Sequence, residues 1–141
     1  MSKQTKVFKV TPNNLSKVIR ECAEIIQRGG TVAIPTETVY GLAANALDPI
    51  AVNRIFHAKG RPADNPLIVH VASIEQLEQL VSEIPPKALS LIEIFWPGPL
   101  TLILKRTRIV PDITTGGLNT VAVRMSADII PLELIQSSDT P

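Results

Sequence analysis

Residues 15–34 read LSKVIRECAEIIQRGGTVAI, which predicts a helix followed directly by a strand. Apolar side chains recur at helical spacing until Gly29-Gly30 supplies a left-handed cap. Residues 31–34 form a β-branched run that stops at Pro35, which predicts a strand buried on both faces. A helix that leads into such a strand is typical of α/β folds.

Helical and strand patterns alternate along the rest of the chain. Predicted helices cover residues 48–60, 73–81 and 86–95, and a weaker helix covers residues 129–135. Predicted strands cover residues 66–71, 100–104 and 120–125, and residues 114–117 form a loop before the last of them. This alternation predicts one domain, an open α/β sheet with helices packed against it.

Size and charge limit the possible classes of function. A chain of 141 residues has room for one domain with one core. Fourteen basic and thirteen acidic residues leave a net charge of +1, which argues against a globally basic nucleic-acid binder. The hydrophobic fraction of 45% and the mean hydropathy of +0.20 predict a globular protein.

The cysteine content favours a reducing, cytoplasmic location. Cys22 has no partner for a disulfide, and with only His57 and His70 beside it a zinc site cannot be assembled from Cys and His alone. Residues 1–9 lack the apolar stretch of a secretory signal, and the apolar residues 89–104 are interrupted by charge and proline. We therefore expect no membrane span.

Common catalytic motifs are absent from the sequence. Neither a G-x-x-x-x-G-K-[ST] loop nor a G-x-G-x-x-G turn occurs, and there is no G-x-S-x-G nucleophile motif. Cys22 lies on the apolar face of the first predicted helix, where a free cysteine usually behaves as a small hydrophobic residue. A substrate site must therefore be built from other residues.

Polar side chains are concentrated in residues 35–42, PTETVYGL, directly after a predicted strand. Open α/β sheets bind ligands beyond the carboxyl ends of their strands, and the side chains of Thr36, Glu37, Thr38 and Tyr40 could hydrogen-bond a small polar substrate there. The alternative is that the threonines satisfy backbone groups of a turn and Tyr40 lies at the edge of the core.

Two cations flank a glycine in residues 59–67, KGRPADNPL, which we call the anion loop. Gly60 allows close approach of a ligand to the backbone, and Lys59 and Arg61 could neutralise a polyphosphate. The alternative is a helix C-terminus with favourable cations in its last turn.

Two polar residues occupy otherwise apolar predicted strands. His70 could be a hydrogen-bonded core histidine or a ligand-binding group. Arg124 needs an anionic partner, which could be a substrate carboxylate or an acidic residue of the fold. A basic cluster at residues 105–108 is either a solvated edge or a contact for RNA phosphates.

Four segments together resemble the YrdC-like family of threonylcarbamoyl-adenylate synthases and their relatives. They are residues 35–42, residues 59–62 with 65–67 and His70, residues 96–101 (WPGPLT), and residues 120–124 (TVAVR). Their order and spacing follow the family's pattern, and the similarity extends from residue 10 to residue 124. The resemblance implies a twisted open mixed sheet flanked by helices.

The resemblance also implies an activity. Members of the family join L-threonine, bicarbonate and ATP, with Mg²⁺ accompanying the ATP, into threonylcarbamoyl-AMP and pyrophosphate. A threonylcarbamoyl-transferase complex then modifies an adenosine of tRNA. By resemblance, L-threonine would contact Thr38, His70 and Arg124. ATP would contact Lys59, Arg61, Asn65 and Thr120, with Lys59 and Arg61 as the catalytic cations. Thr36 and Tyr40 would line the same cavity, and no residue is expected to bind a metal directly.

Two departures from the family pattern affect these expectations. The chain ends at residue 141, before a Ser-Ala-Asn segment that contacts the nucleotide in the family. We therefore expect residues 1–141 to be the N-terminal and central part of one C-terminally truncated domain, with an incomplete ATP site and little or no turnover. Ser126 replaces a proline common in the family, so we expect a looser turn behind Arg124.

Two other functions compete with this interpretation. Relatives with the same fold have been linked to double-stranded RNA, so the chain could be a non-catalytic module that binds double-stranded RNA or tRNA. The near-neutral charge argues against this alternative. A carbamoyl-phosphate-dependent relative is the third possibility, but such modules normally sit within a much larger chain.

Overall fold

The computed structural model describes residues 4–141 and has a mixed order of helices and strands. The helices are α1 (Leu15–Gln27), α2 (Pro49–Lys59), α3 (Ile74–Leu80), α4 (Pro86–Phe95), α5 (Asp112–Thr115) and α6 (Ile129–Ser138). The strands are β1 (Val32–Ile34), β2 (Gly41–Ala43), β3 (Ile68–His70), β4 (Leu102–Lys105) and β5 (Thr120–Arg124). The predicted mixed α/β class is confirmed.

The strands of residues 4–141 form two separate sheets. Strands β1 and β2 pair antiparallel, with Ile34 opposite Gly41. In the second sheet β5 is central, parallel to β3 and antiparallel to β4. The prediction that residues 31–34 are buried on both faces is wrong, because Ala33 is exposed on this two-stranded ribbon. Strand β3 is likewise an edge strand, not an interior one.

One face of the β3-β5-β4 sheet forms the main hydrophobic core. Val69, Val121 and Val123 point to this face and are almost fully buried. Leu77 of α3 and Ile92 of α4 pack in the same cluster. Because burial of each such side chain contributes roughly 1.5–3 kcal/mol, this face fixes which residues of each strand point inward.

The opposite face of the sheet, which we call the open face, carries the alternate residues of each strand. It comprises Ile68, His70, Thr120, Ala122, Arg124, Ile103 and Lys105. Ile68 is 43% exposed and Ile103 is 69% exposed, so this face is only partly covered. Ile68 pairs with Ala122, and His70 pairs with Arg124. Two predicted site residues are therefore cross-strand neighbours.

A second core lies between α1 and α6. Val18, Ile19 and Ile26 of α1 cluster with Leu134 of α6, and Cys22 is buried among them. Burial raises the pKa of the Cys22 thiol, as expected for an unreactive core cysteine. Helix α6 extends to Ser138 and so continues beyond the predicted residues 129–135.

Capping residues define the helix ends as the sequence predicts. The Asp48 carboxylate accepts a hydrogen bond from the Ile50 amide at 2.9 Å, and the Ser73 hydroxyl accepts one from the Gln76 amide at 3.1 Å. Gly60 caps α2 with φ +60°. Residues 114–117, predicted as a loop, instead contain the end of helix α5. Within residues 4–141 no helix has both the length and the apolar character that crossing a bilayer requires.

Candidate functional site

A cavity of about 340 Å³ lies between the two sheets, the C-terminal end of α2 and the α6 tail. Four of the predicted site residues line it: Thr36, Lys59, Arg61 and His70. Cavities of this size are typical of small-molecule sites. The structure therefore gathers parts of three separate sequence segments around one space.

The anion loop begins at the end of α2 and is held by its own backbone. The Arg61 amide donates to the Phe56 carbonyl at 3.0 Å, which reverses the chain after Gly60. The Arg61 guanidinium donates through Nη2 to the Pro66 carbonyl at 2.7 Å. Arg61 Nε is buried and has no hydrogen-bond partner among residues 4–141. A buried donor of this kind is available to an anionic ligand.

Lys59 and Asn65 lie on the exposed side of the anion loop. Lys59 is at the C-terminal end of α2, as the structural alternative proposed, and it also lines the cavity. Asn65 is exposed and outside the lining of the cavity. The two interpretations of Lys59 are therefore compatible, because the helix end faces the site.

Arg124 is anchored by a neighbouring hydroxyl on the open face. Its Nε and Nη2 donate to the Thr101 hydroxyl at 2.9 and 2.7 Å. The Thr101 hydroxyl is neutral. In addition, no acidic residue within residues 4–141 forms a salt bridge with the Arg124 guanidinium. A half-buried guanidinium that has no salt-bridge partner favours a ligand that carries a carboxylate.

His70 lies beside Arg124 and is mostly buried. Its Nδ1 is buried without a hydrogen-bond partner among residues 4–141. Burial lowers the pKa of His70 and the positive charge of Arg124 lowers it further, against a smaller opposing effect from Glu37. The imidazole is therefore neutral at pH 7 and can hydrogen-bond a polar ligand without adding charge.

Glu37 connects residues 35–42 to the turn after β5, a contact that the sequence did not predict. Its Oε1 accepts hydrogen bonds from the Ser126 hydroxyl at 2.8 Å and from the Ala127 amide at 2.6 Å. Burial acts to raise the pKa of Glu37, but these hydrogen bonds and the charge of Arg124 bring it below its ordinary value. Ser126 is 1% exposed. The expectation that Ser126 loosens the turn behind Arg124 is therefore wrong, because Ser126 anchors this turn to Glu37.

Within residues 35–42 the threonines mainly stabilise their own turn. The Thr36 hydroxyl donates to the Val39 carbonyl at 2.5 Å and lies 3.3 Å from the Thr38 hydroxyl. Thr38 is exposed and is not part of the cavity lining. Tyr40 is 77% exposed and also lies outside it. Thr36 thus stabilises its own turn and also lines the cavity, whereas Tyr40 lies neither in the cavity nor at the core edge.

The remaining predicted residues lie on or beside the open face. Thr120 is half-buried at the start of β5 and pairs with Lys105 of β4. Neither Thr120 nor Arg124 lines the cavity itself. Both residues share the face of the sheet that carries His70, so the site continues from the cavity along this face.

The basic cluster at residues 105–108 is largely engaged within the protein. Arg106 donates to the Val110 carbonyl at 2.5 Å and forms a salt bridge with Asp112. Lys105 lies 3.8 Å from Glu83. These contacts favour the interpretation of the cluster as part of the structure over a contact for RNA phosphates.

The charge of the site favours anionic ligands. Lys59 and Arg61 line the cavity, and Arg124 lies next to His70 on the adjoining face. Among residues 4–141 no group of three or more His, Cys, Asp or Glu side chains could hold a metal ion together.

We expect the lowered pKa of His70 to make stability depend on pH. Above about pH 6.5 the histidine is neutral in both states, and below it the unfolded chain binds the proton first. The free energy of unfolding should therefore fall between pH 7 and pH 5, and it should fall less in His70→Gln. Urea titrations at both pH values measure this. The two proteins should show the same small change between pH 7.5 and 8.5, and an equal loss at low pH would contradict the assignment.

We expect Ser126→Ala to reduce the free energy of unfolding by about 1 kcal/mol, because it removes a hydrogen bond to the Glu37 carboxylate. The matched control is Ser90→Ala, whose exposed hydroxyl donates to Pro86 and whose loss should cost less than about 0.5 kcal/mol. Urea denaturation measures both. In a Glu37→Gln background the effect of Ser126→Ala should shrink, and an unchanged effect would show that the two side chains are not coupled.

Comparison with known proteins connects this geometry to a family. The protein family described as "Telomere recombination" (Sua5, YciO and YrdC) matches residues 24–141. A threonylcarbamoyl-AMP synthase from Pyrococcus abyssi is 63% identical over 123 residues, and one from Bacillus subtilis is 51% identical over 125 residues. Each alignment covers 87% of this chain and 36% of the relative.

A solved structure shows the same fold. The crystal structure of P. abyssi Sua5 complexed with L-threonine superposes with a TM-score of 0.86 at 63% identity. It is covered over 36% of its length, and 87% of this chain is aligned. This chain thus spans about a third of the length of these relatives. The matched residues and the high identity show that the chain belongs to the Sua5/YciO/YrdC family.

Proposed function

We propose that this chain carries the L-threonine site and part of the ATP site of an enzyme that makes threonylcarbamoyl-AMP. The observation that carries the proposal is the pairing of His70 with Arg124 beside a cavity lined by Lys59 and Arg61. This arrangement offers one place for an amino acid and an adjacent cationic place for phosphates. The names of the relatives and the L-threonine bound to P. abyssi Sua5 support the same assignment.

L-threonine is proposed to bind on the open face through Arg124. Thr101 uses two of the five N–H donors of the guanidinium, and the others remain for the substrate carboxylate. The neutral His70 imidazole then hydrogen-bonds the substrate amine or hydroxyl. The Thr38 hydroxyl adds a contact from residues 35–42, whose position Glu37 fixes.

ATP is proposed to place its phosphates at the anion loop, with Mg²⁺ bound to their oxygens. Lys59 and the buried Nε of Arg61 supply positive charge and a hydrogen-bond donor. Asn65 and Thr120 are proposed as further nucleotide contacts at the two ends of the site. Both lie outside the cavity lining, so the nucleotide would extend beyond it.

The proposed reaction has two steps and needs no covalent bond to the protein. The threonine amine first attacks bicarbonate to give an N-carboxylated amino acid, with loss of water. A carboxylate oxygen then attacks the α-phosphorus of ATP, and the bond to pyrophosphate breaks. Lys59 and Arg61 act by holding the reactants together and by stabilising negative charge on the phosphoryl oxygens.

The product, a mixed anhydride of a carbamic acid and AMP, is reactive toward amines. We propose that a transferase complex consumes it to modify an adenosine of tRNA, and that this occurs in the cytoplasm, where ATP, threonine and tRNA meet. The alternative of a double-stranded RNA or tRNA module is less favoured, because Arg106 and Lys105 are engaged within the protein.

Calorimetry with Arg124→Ala and Lys59→Ala tests the proposal. We expect Arg124→Ala to weaken L-threonine binding by about tenfold or more, the loss of a charge-assisted contact worth about 1.4 kcal/mol. Lys59→Ala should weaken ATP binding and leave L-threonine binding unchanged. The control is Arg108→Ala, an exposed cation outside the site, which should change neither.

Wild-type heats in Arg124→Ala and Lys59→Ala would remove the site assignment. Tight, salt-sensitive binding of duplex RNA without any heat from L-threonine or ATP would instead support the RNA-binding alternative.

A further inference from the structure

Helix α5 and its cap, Gly116, lie directly against the anion loop. The helix has four residues, Asp112–Thr115, and Gly116 follows it with φ +62°. The contact joins residues 112–116 to a loop about fifty positions earlier in the chain. The sequence predicts residues 114–117 only as a connecting loop, and the proposed binding contacts do not include residues 112–116.

The backbone of the anion loop occupies the space where any other residue at position 116 would place its side chain. A Cβ atom on Gly116 would lie 2.8 Å from the Asp64 carbonyl oxygen and 3.3 Å from Cγ of Pro66. A contact of 2.8 Å with a backbone oxygen cannot be relieved by a side-chain rotation. Any side chain at 116 therefore forces residue 116 and residues 64–66 apart.

Thr114 also contacts the anion loop, through a backbone hydrogen bond. Its carbonyl accepts a hydrogen bond from the Leu67 amide at 3.0 Å. Its hydroxyl, in a residue 1% exposed, donates to the Ala46 carbonyl at 2.8 Å. Thr114 thus ties the end of the anion loop to the connection between β2 and α2, and its side chain also lines the cavity.

We propose that residues 112–116, which we call the loop seat, support the anion loop. Gly116 is a positioning residue, because it keeps the anion loop where Lys59 and Arg61 can contact the phosphates of ATP. The geometry supports this role because the Arg61 guanidinium is itself held by the Pro66 carbonyl, next to the seat. A displacement of residues 64–66 would therefore move the cation. The functional part of this inference rests on the proposed ATP site.

Gly117 provides a matched control for Gly116. It has φ +80°, so an alanine at 117 carries a comparable backbone strain. A Cβ atom on Gly117 would meet nothing within 4 Å among the described residues. The two alanine variants share the strain of a left-handed residue and differ in the contact with Asp64.

The experiment compares wild type, Gly116→Ala and Gly117→Ala by amide hydrogen exchange and by calorimetric titration with ATP and with L-threonine. We expect the Leu67 amide to exchange about tenfold faster in Gly116→Ala, and to stay within about threefold of wild type in Gly117→Ala. The Kd for ATP should rise about tenfold in Gly116→Ala alone, with the Kd for L-threonine unchanged in both variants. A general loss of stability would move both substrates and both variants together.

Equal effects of the two variants on the Leu67 amide would overturn the proposal. Exchange of that amide in the wild-type protein at the rate of an unfolded peptide would also overturn it, even if Gly116→Ala fails to fold. If the wild-type protein gives no heat with ATP, the proposed ATP site fails, while the exchange comparison still decides whether Gly116 positions the loop.

Discussion

The pairing of β3 with β5 is the constraint on which the candidate site depends. The two strands run parallel, with His70 opposite Arg124, so their side chains emerge about 5 Å apart on one face. The burial of Val69, Val121 and Val123 on the other face fixes this register. A slip of one residue would turn the apolar side chains outward and bury the guanidinium, which is why the register is strongly specified.

The other parts of the site are attached to this pair by contacts that join distant segments. Glu37 binds the turn after β5 and so brings residues 35–42 next to Arg124. Thr114 and Gly116 hold the anion loop from the side of α5. Hydrogen bonds also hold two of the cationic side chains in place, Arg61 on the Pro66 carbonyl and Arg124 on the Thr101 hydroxyl. Such preorganisation favours anion binding, because little of the binding free energy is lost in ordering the side chains of the site.

Local sequence signals predicted much of the fold. The features that depend on contacts between residues distant in sequence could not be predicted. Helix ends followed from caps such as Asp48 and Gly60, since capping depends on neighbouring residues. The division of the strands into two sheets and the edge position of β3 did not follow, because pairing partners are distant in sequence. The role of Ser126 was missed for the same reason: its partner is 89 residues away. The motifs did single out His70 and Arg124, whose polarity stands out in apolar strands and which the structure pairs across β3 and β5.

The central claim is that His70 and Arg124 bind one L-threonine molecule together. NMR of the His70 ring during addition of L-threonine tests it most directly, with Arg124→Ala measured alongside. The account predicts that the ring resonances shift with saturating L-threonine in the wild-type protein and stay in place in Arg124→Ala. Two results would contradict the claim. One is His70 ring resonances that do not shift when L-threonine is added to the wild-type protein, and the other is an equal shift in Arg124→Ala.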